Sequence, residues 1–176
     1  ATGTGGSGRQ AGSSFKTFTL VAAIEQGIDP NTMIDASATA KLPGWEVANI
    51  NHTNYGTKSI AGAFAVSSNT AFARLILSIG PDKVVDVAKR MGITSPLTAT
   101  GSLTLGSESV TPLEMANAYA TIANGGTHYD PECVERIVDR NGSIVVDNSA
   151  PKGERAISAE VAHAATEVMK GVITKG

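Results

Sequence analysis

One segment limits what this chain can fold into: residues 13–26, SSFKTFTLVAAIEQ, form a predicted helix with apolar side chains on nearly every face. Gly27 marks the expected end of that helix. A helix on a protein surface has one apolar stripe, whereas a helix that is apolar all round has to be enclosed by other elements. The sequence therefore predicts a central helix that is packed inside a globular domain.

Five further segments have helical periodicity, and one pair of segments is typical of a β-hairpin. The helical segments are residues 59–66, 70–79, 82–91, 111–124 and 158–172. Asn141-Gly142 lies between two runs rich in β-branched residues, a pattern that favours a hairpin. Because helices and strands do not alternate along the chain, we expect a predominantly helical α+β fold rather than a doubly wound parallel sheet.

Two stretches are predicted to be loops. Residues 1–12 are glycine-rich and form a lead-in loop, since the G-x-G-x-x-G pattern at residues 3–8 lacks the preceding strand that a dinucleotide site needs. Residues 29–58 are interrupted by Pro30, Pro43 and many Asn and Thr residues, which indicates a long surface excursion.

Charge and composition exclude several function classes. The formal net charge is −2 without any block of like charges, so the basic stripe of a nucleic-acid-binding surface is missing. No apolar run reaches the roughly 18–20 residues that cross a bilayer. One cysteine and three scattered histidines offer no metal-ligand spacing, so we expect neither a metal nor another cofactor.

An S-x-x-K pattern, from Ser13 to Lys16, opens the predicted central helix. Residues three apart share a helix face, so the amine of Lys16 can reach the hydroxyl of Ser13. Burial lowers the pKa of a lysine, and a neutral amine can accept the serine proton and create a nucleophile. Such a short pattern also arises by chance: a second one at residues 149–152 contains Pro151 and is interpreted as a coincidence in a loop.

Ser67-Ser68-Asn69 is an S-x-N triplet between two predicted helices. The Ser67 hydroxyl could relay a proton, and the Asn69 carboxamide could hold a substrate amide. The same triplet is an ordinary helix-cap sequence, and taken alone it favours the cap.

Taken together, the sequence blocks resemble the transpeptidase domain of penicillin-binding proteins, most closely the bifunctional, class A type. The resemblance runs from about Arg9 to the last residue, with the blocks in the family's order. The blocks are GRQAGSSFKTFTLVAAIEQG, AFAVSSNTAFARLILSIG and LGSESVTPLEMANAYATIANGG. This resemblance implies that the chain forms the helical subdomain of the serine β-lactamase and penicillin-binding transpeptidase fold.

The sequence departs from this family in one motif. The family's K-T-G motif lies on a strand beside the active cleft, and residues 1–176 contain neither that motif nor most of the family's five-stranded sheet. We therefore expect a partial transpeptidase domain whose uncovered apolar helix face favours self-association. One oxyanion donor is also expected on the missing strand, and losing such a donor costs about 10²–10³ in rate. The isolated chain is accordingly expected to be inactive.

The resemblance implies a serine acyl-transfer reaction on peptidoglycan. Lys16 would accept the proton of Ser13, which attacks the carbonyl between the two terminal D-alanines of a stem peptide. Ser67 would pass a proton to the leaving D-alanine, and Asn69 would hold the stem peptide or orient Lys16. β-Lactams would acylate the same serine. The family also implies a location outside the cytoplasmic membrane, on a full-length protein anchored to it in a bacterium.

Two other functions stay open at this point. A D-alanyl-D-alanine carboxypeptidase differs only in using water as acceptor, and a non-catalytic helical module needs no reaction. A serine β-lactamase with a Glu-x-x-x-Asn pattern is disfavoured, because Glu108 is followed four residues later by Pro112.

Thr111 is predicted to cap the helix over residues 111–124. Glu114 is predicted to stabilise the first turn of that helix, where a carboxylate interacts favourably with the helix dipole.

Overall fold

Six α-helices form the framework of the computed structural model, which describes residues 8–176. Every helical segment predicted from the sequence is present. The helices are α1 (Lys16–Glu25), α2 (Ile60–Ala65), α3 (Asn69–Ile79), α4 (Pro81–Arg90), α5 (Pro112–Ala123) and α6 (Ala159–Lys175). Short 3-10 segments lie at Gly12–Phe15, Ile50–His52 and Gly101–Leu105.

The strands of the described residues pair two by two, always antiparallel, and no larger sheet forms among them. Two of the pairs, β3–β4 and β8–β9, join consecutive strands as hairpins, and the second of these is the hairpin predicted around Asn141-Gly142. The pairs are β1 (Arg9–Gln10) with β6 (Ser109–Val110), β2 (Met33–Asp35) with β5 (Thr57–Ser59), β3 (Thr39–Leu42) with β4 (Trp45–Ala48), β7 (Thr127–His128) with β10 (Glu154–Arg155), and β8 (Arg136–Val138) with β9 (Ile144–Asp147).

Two of the loop predictions differ from the structure. The predicted surface excursion over residues 29–58 is mostly exposed, but it contains β2, β3, β4 and the start of β5 instead of being only a loop. Strands of three or four residues show too little alternation to be predicted from the sequence. Of the predicted lead-in loop over residues 1–12, residues 1–7 lie outside the described part of the chain. Within the rest, Arg9–Gln10 form strand β1 against Ser109–Val110.

Helix α1 lies at the centre of the core. All its side chains from Lys16 to Ala23 are buried, and α3, α4 and α6 pack around it. The enclosed helix predicted from the sequence is therefore confirmed. The predicted uncovered apolar face of this helix is wrong, because the other helices cover it; exposed apolar side chains lie instead at the end of α6, where Val172 is 43% and Ile173 88% exposed.

The start of α5 is fixed by Glu114. Its backbone N–H donates to the Thr111 hydroxyl at 3.2 Å, and its carboxylate accepts from the Thr111 N–H at 2.7 Å, which makes a capping box. The carboxylate also accepts the N–H and hydroxyl groups of Thr94 and Ser95 at 2.6–2.9 Å. The predicted roles of Thr111 and Glu114 in the first turn are confirmed, and the same carboxylate ties down the loop after α4.

Hydrogen bonding sets the ionisation of Glu114. Burial alone would raise the pKa of this carboxyl, but the hydrogen bonds from Thr111, Ser95 and Thr94 outweigh burial and lower the pKa to about 2. Glu114 is therefore an anion at neutral pH.

Candidate active site

Ser13 and Lys16 meet at the start of α1, as their spacing predicts. Ser13 lies in the 3-10 segment Gly12–Phe15, and Lys16 is the first residue of the α-helix that continues it. The Nζ atom of Lys16 lies 3.1 Å from Oγ of Ser13. This is hydrogen-bond distance, so a proton can pass directly between the two atoms.

The S-x-N triplet completes the surroundings of the Lys16 amine. Nζ lies 2.7 Å from the carbonyl oxygen of Ser67, 3.0 Å from the Ser67 hydroxyl and 2.8 Å from Oδ1 of Asn69. All four site residues predicted from the sequence are therefore brought together around one nitrogen, although more than fifty residues separate the two motifs.

The Lys16 amine is a buried cation without an anionic partner. Its residue is 1% exposed, and no carboxylate of residues 8–176 lies within salt-bridge distance of Nζ. Desolvation by burial lowers the pKa of Lys16 from 10.5 to about 8. About one amine in ten is then neutral at pH 7, which supplies the base that serine activation requires.

Backbone geometry directs Ser67 towards Lys16. Ser67 has φ +55°, a left-handed conformation that non-glycine residues rarely adopt. It follows the last turn of α2, and both its carbonyl oxygen and its hydroxyl accept hydrogen bonds from Nζ. The helix-cap interpretation of the triplet is also correct, but for the middle residue: the Ser68 side chain accepts the N–H of Ala71 at the start of α3.

A cavity of about 360 Å³ opens over this cluster. Ser13, Lys16 and Ser67 supply its polar wall, and side chains from α2, α5 and α6 supply an apolar one. The remaining lining residues are Ser14, Phe64, Ala65, Tyr119, Met169 and Val172. A second cavity of about 750 Å³ lies beside Glu114 and contains none of the four predicted site residues.

Tyr119 is a part of the site that the sequence analysis missed. Its hydroxyl donates to the carbonyl oxygen of Ser14 at 2.9 Å and shares a hydrogen bond with the Thr17 hydroxyl at 2.8 Å. Burial raises the pKa of Tyr119, so the phenol stays protonated. The ring therefore fastens the turn that carries Ser13 to α5. Its helical position showed only that it belongs to α5, not which face meets the site.

The other sequence candidate lies elsewhere. Ser149 and Lys152 occupy an exposed loop after β9, and the Ser149 hydroxyl donates to Asp147. Among the described residues, no group of three or more His, Cys, Asp and Glu side chains is arranged to hold a metal ion. No helix within residues 8–176 has the length and apolarity to span a bilayer.

Sequence comparison shows the family of the chain. Residues 6–176 match the profile of the penicillin-binding protein transpeptidase domain. Penicillin-binding protein 1A of Mycobacterium tuberculosis is 34% identical over 183 residues, which cover 94% of this chain and 22% of that protein. The protein of the same name from Rickettsia felis is 39% identical over 142 residues, covering 78% of this chain and 18% of that protein. The chain thus spans about a fifth of the length of these relatives.

Solved structures show the same fold. PonA1 of M. tuberculosis in complex with penicillin V has a TM-score of 0.85 and 34% identity, covering 92% of this chain and 46% of that one. The imipenem acyl-enzyme of penicillin-binding protein A from M. tuberculosis has a TM-score of 0.86 and 29% identity, covering 94% of this chain and 44% of that one. The chain belongs to the penicillin-binding transpeptidase family, of the class A type, and has the partial α+β fold predicted for it.

Proposed function

We propose that this chain carries the acylation site of a peptidoglycan D,D-transpeptidase, with Ser13 as the nucleophile and Lys16 as its base. The observation that carries the proposal is the 3.1 Å approach of Nζ to Oγ in a buried site where no carboxylate of the described residues neutralises the amine. A lysine held by a salt bridge would keep its proton, whereas this lysine releases it near neutral pH.

The proposed reaction proceeds in two steps. Neutral Lys16 removes the proton of Ser13 while Oγ bonds to the carbonyl carbon between the two terminal D-alanines of a stem peptide. The C–N bond then breaks, and the leaving D-alanine amine takes a proton from Lys16 through the Ser67 hydroxyl, which lies 3.0 Å from Nζ. An amine of a neighbouring stem peptide attacks the resulting ester and releases Ser13, with its proton returned through the same groups.

Asn69 has a defined place in this scheme. Its Oδ1 accepts from Lys16 at 2.8 Å and its Nδ2 donates to the carbonyl oxygen of Ala48 at 3.0 Å, so the side chain orients the lysine. Nζ is thereby held within hydrogen-bond distance of both hydroxyls, that of Ser13, which gives up a proton, and that of Ser67, which passes one on. Neither a metal nor an organic cofactor takes part.

The ligands and the location belong to the same proposal. The relatives whose structures are described as penicillin V and imipenem complexes support β-lactams as ligands of Ser13. The similarity to class A proteins supports a bacterial enzyme that works outside the cytoplasmic membrane and is anchored to it in the full-length protein.

Intact mass after incubation with excess benzylpenicillin tests the assignment of Ser13. Although the missing K-T-G motif predicts an inactive isolated chain, we propose that slow acylation remains: we expect the mass of one penicillin on the parent chain after prolonged incubation and none on Ser13→Ala. Ser149→Ala is the matched control, because this serine opens the second S-x-x-K pattern, lies in an exposed loop and donates its hydroxyl to Asp147, so its loss should leave the adduct intact. An adduct that persists in Ser13→Ala, or no adduct on a folded parent chain after prolonged incubation, contradicts the proposal.

The rate of this reaction tests what K-T-G contributes. Because the 176 residues contain no K-T-G, we expect acylation to be about 10²–10³ slower than in a transpeptidase with all three motifs.

A synthetic stem peptide ending in D-Ala-D-Ala distinguishes the two possible acyl acceptors, an amine and water. Release of D-alanine coupled to a new peptide bond supports transfer to an amine, and release with water alone supports a carboxypeptidase.

A further inference from the structure

Asn49 is a buried amide at the end of β4, only 3% exposed. It follows Ala48 and belongs to the segment that the sequence analysis interpreted as a surface excursion. Both polar atoms of its side chain are used, and they face different parts of the fold. Buried amides with complete hydrogen bonding fix the relative position of the segments that they join.

The oxygen of the Asn49 side chain faces the S-x-N turn. Oδ1 accepts from the Ser68 hydroxyl at 3.0 Å, from the Thr70 N–H at 3.1 Å and from the Thr70 hydroxyl at 3.3 Å. Between these two residues, Asn69 donates to the carbonyl oxygen of Ala48 at 3.0 Å. Ala48 and Asn49, at the end of β4, therefore bind residues 68–70 of the turn through hydrogen bonds.

The nitrogen of the Asn49 side chain faces its own segment. Nδ2 lies 3.0 Å from each of three carbonyl oxygens, those of Ala36, Ser37 and Thr53. These carbonyls lie on both sides of the β3–β4 hairpin, so one amide closes the base of the hairpin. The Thr70 hydroxyl shares its one proton between Asn49 and the carbonyl oxygen of Ser37, which is the nearer acceptor at 2.8 Å. Asn49 thus fastens the turn to an already closed segment rather than to a free loop.

The S-x-N turn needs such support because Ser67 is strained. A non-glycine residue in the left-handed region costs on the order of 1–3 kcal/mol and persists only where its surroundings fix it. Ser67 is held on one side by Lys16, through its carbonyl oxygen and hydroxyl. On the other side it adjoins Ser68, whose hydroxyl is held by Asn49. Without Asn49, the turn keeps the backbone hydrogen bonds of Ser67 to Phe64 and of Ser68 to Ala63, but it loses its side-chain connection to the end of β4.

We propose that Asn49 is a positioning residue for Ser13 acylation, which holds Ser67 and Asn69 against the Lys16 amine through Ser68, Thr70 and the backbone of Ala48. This proposal rests on the proposed function of Ser13 and Lys16. Asn49 itself touches neither Ser13 nor the cavity above it. Its loss should move the acceptors of Nζ apart and let water reach the amine.

Two readouts on Asn49→Ala test this role. The first is the rate constant for Ser13 labelling by a fluorescent penicillin, which we expect to fall about 10- to 100-fold. The second is the pH titration of the Lys16 side chain, followed by NMR of ¹³C-labelled lysine and assigned by the signal that Lys16→Met removes. In the parent chain the pKa is about 8, and in Asn49→Ala we expect it to rise towards 10.5.

Ser68→Ala is the milder second variant: it removes one hydrogen bond to Asn49, together with the cap that Ser68 makes on the Ala71 N–H, and leaves the amide of Asn49 in place. It should shift both readouts in the same direction, and the double variant should add less than the sum of the two single effects. Thr121→Val is the matched control: Thr121 is 2% exposed and hydrogen-bonded to Asn117, on α5 and away from Lys16. It should lower stability without changing either readout.

The outcomes separate this proposal from the proposed function. If Asn49→Ala or Ser68→Ala folds, labels within twofold of the parent rate and keeps the Lys16 titration unchanged, Asn49 is not a positioning residue. If the parent chain itself does not label, the proposed function fails, while the Lys16 titration still reports whether Asn49 holds the site. If Thr121→Val shifts both readouts equally, the effect is one of stability and the proposal is overturned.

Discussion

Lys16 and Glu114 are two ionisable side chains held by neutral hydrogen-bond partners, and they behave in opposite ways. The Glu114 carboxylate accepts from five N–H and O–H groups, all of which favour its charged form. The Lys16 amine is more deeply buried, and desolvation dominates the acceptors around it, so its charged form is disfavoured. Neutral hydrogen-bond partners therefore stabilise the negative charge of Glu114, whereas they do not prevent Lys16 from losing its proton.

The difference follows from how completely each charge is compensated. Several charge-assisted hydrogen bonds to one carboxylate stabilise the anion beyond what burial removes. An ammonium has three hydrogens to donate. Within residues 8–176, the Lys16 ammonium faces carbonyl and hydroxyl dipoles and no carboxylate. Glu114 is consequently a structural anchor between α5 and the loop after α4, whereas Lys16 is suited to exchange a proton with Ser13.

Replacing Lys16 should give the largest effect on chemistry. In Lys16→Met the base is lost and the volume is kept, so Ser13 acylation should slow by about 10²–10⁴, the usual contribution of a positioned base. The measurement is the rate of fluorescent penicillin labelling of the folded chain. Lys89→Met, at an exposed lysine of α4, should label within twofold of the parent. Labelling of Lys16→Met at the parent rate would mean that another group takes the proton.

Replacing Glu114 should have its effect on stability instead. Glu114→Ala removes the acceptor of five hydrogen bonds and the capping box, so the free energy of unfolding should fall by about 2–3 kcal/mol, as for a lost helix cap together with charge-assisted hydrogen bonds to a partly buried carboxylate. Urea unfolding at pH 7 measures this. Acylation per folded molecule should change less than threefold. Glu167→Ala is the control: it removes an exposed ion pair with Lys170 and should lower the free energy of unfolding by less than about 1 kcal/mol. If both variants lost the same free energy of unfolding, Glu114 would be no more of a structural anchor than an exposed surface charge.

The sequence predicted those features that depend on neighbours along the chain. The three-residue spacing of Ser13 and Lys16, the Thr111 cap with Glu114 in the first turn of α5, and the enclosed character of α1 are all local patterns with a physical cause. Each is present in the structure. The same locality explains why all six helices within residues 8–176 were predicted while most strand pairs were not.

The missed features depend on residues far apart in the sequence. Asn49 meets Ser68 across 19 positions, Tyr119 meets Ser14 across 105, and β1 pairs with β6 across about a hundred. No periodicity reports such contacts, and an asparagine in a Pro- and Asn-rich stretch is usually a turn residue. The cover over α1 was misjudged for the same reason, since burial by packed helices is a property of the tertiary structure.

The pH dependence of stability gives the smallest effect and the most direct test of the contrast. The pKa of Lys16 is lowered on folding from 10.5 to about 8, so the unfolded chain binds more protons between these values and stability should rise as pH increases through them. The pKa of Glu114 is also lowered, from 4.5 to about 2, so its contribution is complete above pH 4.5 and is lost as pH falls towards 2. Both slopes have the same sign, but for opposite reasons: the folded state prefers Lys16 neutral and Glu114 charged.

Urea unfolding of the parent and of Lys16→Met between pH 7 and 10.5 isolates the lysine, because the other titrating groups cancel in the difference. The parent should gain up to about 3 kcal/mol relative to the variant over this range. A difference that stays constant across that range would show that Lys16 is not held as a desolvated amine and would remove the basis for its role as the base of Ser13.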